Sequence, residues 1–224
     1  MPVQRHVQSR DTGTLHAEHG RLRQHLAALR MLLAFTVLCG IVYPVVMWGV
    51  AQAAFKTQAN GSLVTLGGKV VGSSLLCQEF VDAKGNPLPQ YFQPRPSNAV
   101  NSSDSSDYGC DAGFSAASNL GPNSSTLLKT VKERQQEIAA FDHVSVSQIP
   151  PDAVTASGSG LDPDISPANA AIQVNRVAAA RHLPVATVQS LVAKNTKARD
   201  IEFLGEPAVN VVTLNIALDS LPKQ

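Results

Sequence analysis

The pattern of polar and apolar positions divides the chain before any motif is considered. Residues 1–25 mix Arg, His, Gln and Thr with no apolar period, which predicts a disordered tail. Residues 31–55 (MLLAFTVLCGIVYPVVMWGVAQAAF) then contain no Asp, Glu, Lys, Arg or His. Roughly 20 such residues cross a hydrocarbon core of about 30 Å. The pattern therefore predicts one membrane helix, with its core at 31–54 inside a helical region 26–55. A secretory signal would have an apolar stretch of about 7–15 residues, shorter than this one, although Ala51-Gln52-Ala53 has the spacing of a cleavage site. Gly40 and Gly49 are small enough for a second helix to approach, and Pro44 is an interruption that packed membrane helices tolerate. These three are the candidate packing positions.

Beyond the apolar run, residues 56–224 read as one soluble α+β domain. Residues 56–68 are turn-rich, and 69–80 (KVVGSSLLCQEF) predict a strand pair or a bulged strand. Residues 84–126 are dense in Gly, Pro, Ser, Asn and Asp and predict a long irregular loop. From 124 to 141 the period becomes helical, with Leu127, Leu128, Val131 and Ile138 on one face and Ser124 or Ser125 as cap. After a second irregular stretch, 149–167, Ser166-Pro167 predicts a helix start that runs to about residue 181. Pro184 opens a short helix, and VNVVTLNIAL at 209–218 reads as a strand because of its β-branched residues.

Composition narrows the functional classes. Hydrophobic residues make up 44% and charged residues 16%, so the chain can build a core, and at 5% aromatics that core is mostly aliphatic. A net charge of +1 without a basic stripe gives no footprint for nucleic acid. Charge is nevertheless uneven: Arg5, Arg10, Arg21, Arg23 and Arg30 against Asp11 and Glu18 leave the first 30 residues at +3 and the rest at −2. The positive-inside rule then puts the N-terminus in the cytoplasm and the domain outside. That compartment is oxidising, so Cys77 and Cys110 stand either as a disulfide or as two thiols; sequence supplies no distance.

Catalytic patterns are missing. There is no GxxxxGK[ST], no GxGxxG between strand and helix and no GxSxG around Ser159. Asp152, Asp162 and Asp164 lack calcium-loop spacing and read as turn and helix-start acceptors. No metal site and no tightly bound cofactor are expected.

Seven blocks in fixed order carry a resemblance: LCGIVYPVVMWGVAQAAF, QANGSLV, KVVGSSLLCQEF, YFQPRPS, SNLGPNS, VTASGSGLDPDISPANAAIQVNRVAAAR and LGEPAVNVVTLNIALD. Over about residues 30–219 the chain resembles the C subunit of the Kdp potassium-transporting ATPase. The resemblance implies a single-pass protein of the bacterial inner membrane with a periplasmic domain, a non-catalytic accessory subunit of a high-affinity ATP-driven potassium importer. Implied partners are the channel-like potassium-binding subunit, the P-type ATPase subunit that hydrolyses ATP, and a small third partner of the Kdp complex. It also implies a catalytic-chaperone role that raises the ATP affinity of the P-type ATPase subunit. In one version the end of the GSSL stretch helps bind nucleotide, here Gln78 with Ser73 and Ser74; ATP otherwise acts through the complex. Asn119, Ser157, Gly158, Ser159, Gly160 and Asp162 are the family-motif loop residues. The chain departs from the family pattern at Ala116-Ala117, where two glycines are common, and at Cys77, where a small residue is usual. The competing reading is a stand-alone, membrane-anchored extracytoplasmic binding protein.

Overall fold

A chain segment with no charge to solvate gains nothing from interruption, and the helix it forms here is long. The computed structural model describes residues 12–222, which fall into two units, one up to Ala59 and one from Asn60 onward. In the first, α1 (Thr12–Val37) continues through a π-helical turn (Leu38–Val42) into α2 (Tyr43–Ala54), followed by the short α3 (Lys56–Ala59). Pro44 has no N–H to return to Gly40. The backbone answers with the wider turn, in which the Tyr43 N–H donates to Leu38 O, five residues back. From Arg21 to Ala54 this is a 34-residue helix of mean hydropathy 2.2 in its most apolar window, with no buried position there, so by length and composition it can cross a membrane. Helix α1 begins at Thr12, inside the expected tail 1–25. Leu15, Ala17, Glu18, Arg21, Leu22, Arg23 and Gln24 favour the helix there, against Gly13 and Gly20. Residues 1–11 of that expectation lie outside the described residues.

The second unit begins with an antiparallel hairpin of β1 (Leu63–Leu66) and β2 (Lys69–Ser73), with a register shift between Val64 and Thr65. Gly67 and Gly68 both have positive φ, 57° and 80°, as a two-residue hairpin loop that follows the strand twist requires. The strand pair or bulged strand expected over 69–80 is a single strand that ends at Ser73, and its partner lies in the stretch read as turn-rich. The helices follow: α4 (Ser125–Asp142), α5 (Pro151–Val154), α6 (Pro167–Ala180), α7 (Val185–Lys194) and α8 (Val211–Asp219). A small antiparallel sheet has the order β3-β5-β4, with β3 (Asp164–Ile165), β4 (Thr196–Lys197) and β5 (Ala208–Asn210).

Caps set the helix starts. Ser124 Oγ accepts the Leu127 N–H, and Ser166 Oγ accepts the Asn169 N–H with Pro167 in the first turn. Leu128, expected on the inner face of α4, is exposed. The main correction concerns 209–218, which is a helix after Asn210. Val211, Leu214, Asn215 and Leu218 recur at helical spacing and are all buried, and Asn210 caps the turn by accepting the Thr213 N–H at 3.0 Å. The core packs α8 and β5 against α6 and α7 through Val177, Val188, Val209 and Leu214, none more than 1% exposed, with Phe92 and Ile165 closing it. Each such side chain contributes about 1.5–3 kcal/mol by leaving water.

Candidate functional site

Two of the motif segments, residues 91–97 and 157–162, meet in one region of the folded unit, and α6 organises it. Asn169, Gln173 and Arg176 recur at helical spacing on a buried face that is otherwise aliphatic. Gln173 accepts the Gln93 N–H at 2.7 Å and donates to Gln93 O at 3.2 Å. From α8, Asn215 makes the same paired contact with Phe92, both at 2.9 Å. The extended chain at 92–93 thus has its backbone satisfied by two side-chain amides, as a neighbouring strand would do. Arg176 donates to Pro89 O, Tyr91 O and Gln173 Oε1, pairs with Asp142 at 2.7 Å and lies 4.3 Å from the Phe141 ring centre. Both members of the ion pair are buried. Desolvation pushes the Asp142 carboxyl up and the Arg176 guanidinium down, each against the attraction of the other.

This clamp delivers Arg95 and Ser97 to the loop at 157–162. Arg95 pairs with Asp162 at 3.0 Å, and Ser97 Oγ donates to Gly160 O at 2.6 Å while accepting the Ala99 and Cys110 N–H groups. Ser157 N–H donates to Pro96 O, and Ser159 O accepts from Ala116 N–H and Ser115 Oγ. Gly160 has φ +73°, and a Cβ there would lie 2.6 Å from Ala116 O and 2.8 Å from Ala99 Cβ, so only glycine fits. Gly158 has open space around it. The loop at 157–160 is therefore a packed corner whose carbonyls bind protein, not an open phosphate cradle. Asp152 accepts from Ser166 N–H, Ser166 Oγ and Asn169 Nδ2, and Asp164 accepts from Asn210 Nδ2. The Asp residues thus hold turns and helix starts.

Cys77 and Cys110 are joined by a disulfide that ties the exit of β2 to the long loop across 33 residues of sequence. The residues linked by resemblance to nucleotide are not gathered into a pocket. Ser73 Oγ donates to Gly61 O at 2.7 Å and Ser74 Oγ to Ser62 O at 3.3 Å, both closing the turn before β1. Gln78 is exposed, with Oε1 folded against Gly72. Asn119, at φ 52°, makes a local contact from Nδ2 to Ala117 O. Gly40 and Gly49 have no atom within 4 Å of a Cβ position, so their sides of the helix are open.

A cavity of about 460 Å³ lies beside the clamp, walled by α4, α6 and residues 93–97. Sequence reasoning did not bring together its charged lining, Glu79, Arg95, Arg134 and Glu137; Glu79 and Arg95 lie in irregular segments and the other two on the polar-rich α4, so no local pattern joins them. Arg134 donates to Val154 O at 3.0 Å, and burial lowers its pKa. Glu79 is half-buried against Gly109 and 3.9 Å from the Cys110 sulfur. Burial, and then the charge of Asp107, push its carboxyl up to about 7. An acid raised by folding stabilises the fold at low pH, and that stability is lost as pH climbs from the unfolded value through about 7. Glu79→Gln is therefore expected to raise stability at about pH 8 by about 2 kcal/mol and to change it little at about pH 4. Thermal melts of the full chain in detergent at both pH values check this. Among the described residues no group of three His, Cys, Asp or Glu side chains is arranged to hold a metal ion.

The family described as "K+-transporting ATPase, c chain" matches residues 25–220, the apolar helix and the folded unit together. The potassium-transporting ATPase KdpC subunit of Gemmatimonas aurantiaca is 51% identical over 201 residues, covering 89% of this chain and 94% of that protein. The KdpC subunit of Mycobacterium tuberculosis H37Rv is 48% identical over 200 residues, covering 89% and 99%. That of Beijerinckia indica is 46% identical over 198 residues, covering 88% and 94%.

Proposed function

The chain belongs to the KdpC family, and from that premise we propose that it is the non-catalytic accessory subunit of a high-affinity, ATP-driven potassium importer. The observation that carries this reading is the extent of the family match, which includes both the membrane-length helix and the folded unit. The partners in this reading are the channel-like potassium-binding subunit, the P-type ATPase subunit and the small third partner of the complex. The helix spans the bacterial inner membrane with the N-terminus in the cytoplasm and residues 56–224 in the periplasm. Two features support this direction: the arginines on the N-terminal side of the uncharged span 31–55, and a Cys77–Cys110 bond that needs an oxidising compartment.

The chaperone effect on ATP affinity then acts through assembly rather than through contact with nucleotide. The hydroxyls of Ser73 and Ser74 are engaged in their own turn, and in this orientation Gln78 is separated from cytoplasmic ATP by the bilayer. Such coupling works by favouring one of two states of the P-type ATPase partner, and effects of this kind run from about 5-fold to about 150-fold. Removing the chain from the purified complex is expected to weaken apparent ATP affinity by about fivefold or more. A photoreactive ATP analogue is expected to label the P-type ATPase partner and leave this chain unlabelled. Labelling at residues 73–78, or an unchanged ATP affinity, would contradict the reading. The cavity beside Glu79 favours the second reading, a stand-alone binding protein anchored in the membrane.

A further inference from the structure

Between β4 and β5 the chain makes a tight excursion whose tip is apolar and exposed. Ile201, Phe203 and Leu204 are 74%, 70% and 51% exposed. Single exposed aliphatic residues are ordinary on a protein surface, but three large apolar ones within four residues at a loop tip are not. The excursion is closed by two backbone hydrogen bonds, Asp200 N–H to Leu204 O at 2.8 Å and Leu204 N–H to Asp200 O at 2.9 Å. Within it Ile201 and Glu202 both have positive φ, 52° and 68°. That region suits glycine and asparagine and is unfavourable for a β-branched residue. The backbone is thus held in a strained turn that displays the apolar side chains to solvent.

The charges around the tip indicate what covers it. Lys197 pairs with Asp200 at 3.1 Å, and Arg199 pairs with Glu206 at 2.6 Å. Both cations at the base are therefore committed within the loop. Among the described residues no cation pairs with Glu202, so the tip carries one uncompensated negative charge. A loop that enters a lipid surface presents free Lys or Arg to anionic headgroups. This tip presents the opposite sign, so it lacks that attraction to a lipid surface. An apolar recess in protein, with a Lys or Arg at its edge, matches both the side chains and the charge.

We propose that residues 201–204 are a docking tip that seats in an apolar recess, edged by a cation facing Glu202, on another protein of the potassium-transport complex. The proposal rests on the reading of this chain as one member of that complex, to which it adds the surface used for docking.

The test uses the full chain produced together with its complex in membranes, with benzoylphenylalanine in place of Phe203 and, as control, in place of the exposed Lys129. Irradiation is expected to give an adduct between the chain and one other protein of the complex from position 203 and none from position 129. Adducts with lipid alone, or no adduct while the complex still co-purifies, overturn the docking tip. Recovery of the unmodified chain free of every other transport protein overturns the assembly reading, and the tip with it. A second variant, Ile201→Gly with Phe203→Ser and Leu204→Ser, relieves the strained turn and removes the apolar surface. It is expected to melt no lower than the natural chain yet to lose about tenfold or more of the recovered complex. Undiminished recovery of complex with that variant also overturns the proposal.

Discussion

Replacing Arg176 with methionine is expected to lower the stability of the folded unit by about 4 kcal/mol, near the upper end of what one substitution does. The side chain is 4% exposed and makes four kinds of contact: the Asp142 carboxylate, two backbone carbonyls, the Gln173 amide and the Phe141 ring. Methionine fills much of the volume but donates nothing. Asp142 is left as a buried carboxylate without its cation, and Pro89 O and Tyr91 O lose their donor. Against a total stability of about 5–15 kcal/mol this is a large fraction, and a fall in melting temperature of about 10 °C follows for a unit of this size. The pH dependence distinguishes an orphaned charge from a mere packing defect. Without Arg176 the Asp142 pKa rises further, so the loss is largest at about pH 8 and shrinks as pH falls and the carboxyl is protonated. The double variant Arg176→Met with Asp142→Leu removes both charges and is expected to be more stable than the single one. Melts of the full-length variants in detergent, at two pH values, read all three results.

That Arg176 organises the fold was not visible in the sequence, and the reason is physical. Helices with a side-chain cap and a 3.6-residue period were legible, as at Ser124 and Ser166, because cap and period are local properties. The α+β class and the apolar span were legible for the same reason. The segment 209–218 was misread because β-branched composition was weighed above spacing, although Val211, Leu214 and Leu218 already lay on one helical face. Strands β3 and β4 have two residues each, too few to show any period. The loop around 89–97 was illegible because its order comes from partners far along the chain. Phe92 is held by Asn215, 123 residues away, and Gln93 by Gln173, 80 residues away. The same holds for the motif loop: Gly160 is required by Ala99 and Ala116, which no spacing rule connects to it. The serines linked by resemblance to nucleotide bond to residues 61 and 62, contacts that no motif announces.

Deleting residues 31–54 is expected to release the chain from its complex altogether. None of the side chains in this span is buried by the chain itself, and the open faces at Gly40 and Gly49 leave room for another helix. A span of this length holds a protein in the bilayer effectively irreversibly, whereas a surface contact alone does not. Without it the folded unit keeps its own core and loses both its membrane and the neighbours that the helix would meet. The most direct measurement is therefore co-purification from membranes in mild detergent, with the tagged full chain and the span-deleted chain compared side by side. The full chain is expected to bring down the other potassium-transport ATPase proteins in constant proportion, and the deleted chain none. A full chain recovered alone, or a deleted chain that retains those proteins at undiminished yield, would contradict membership of the complex through this helix.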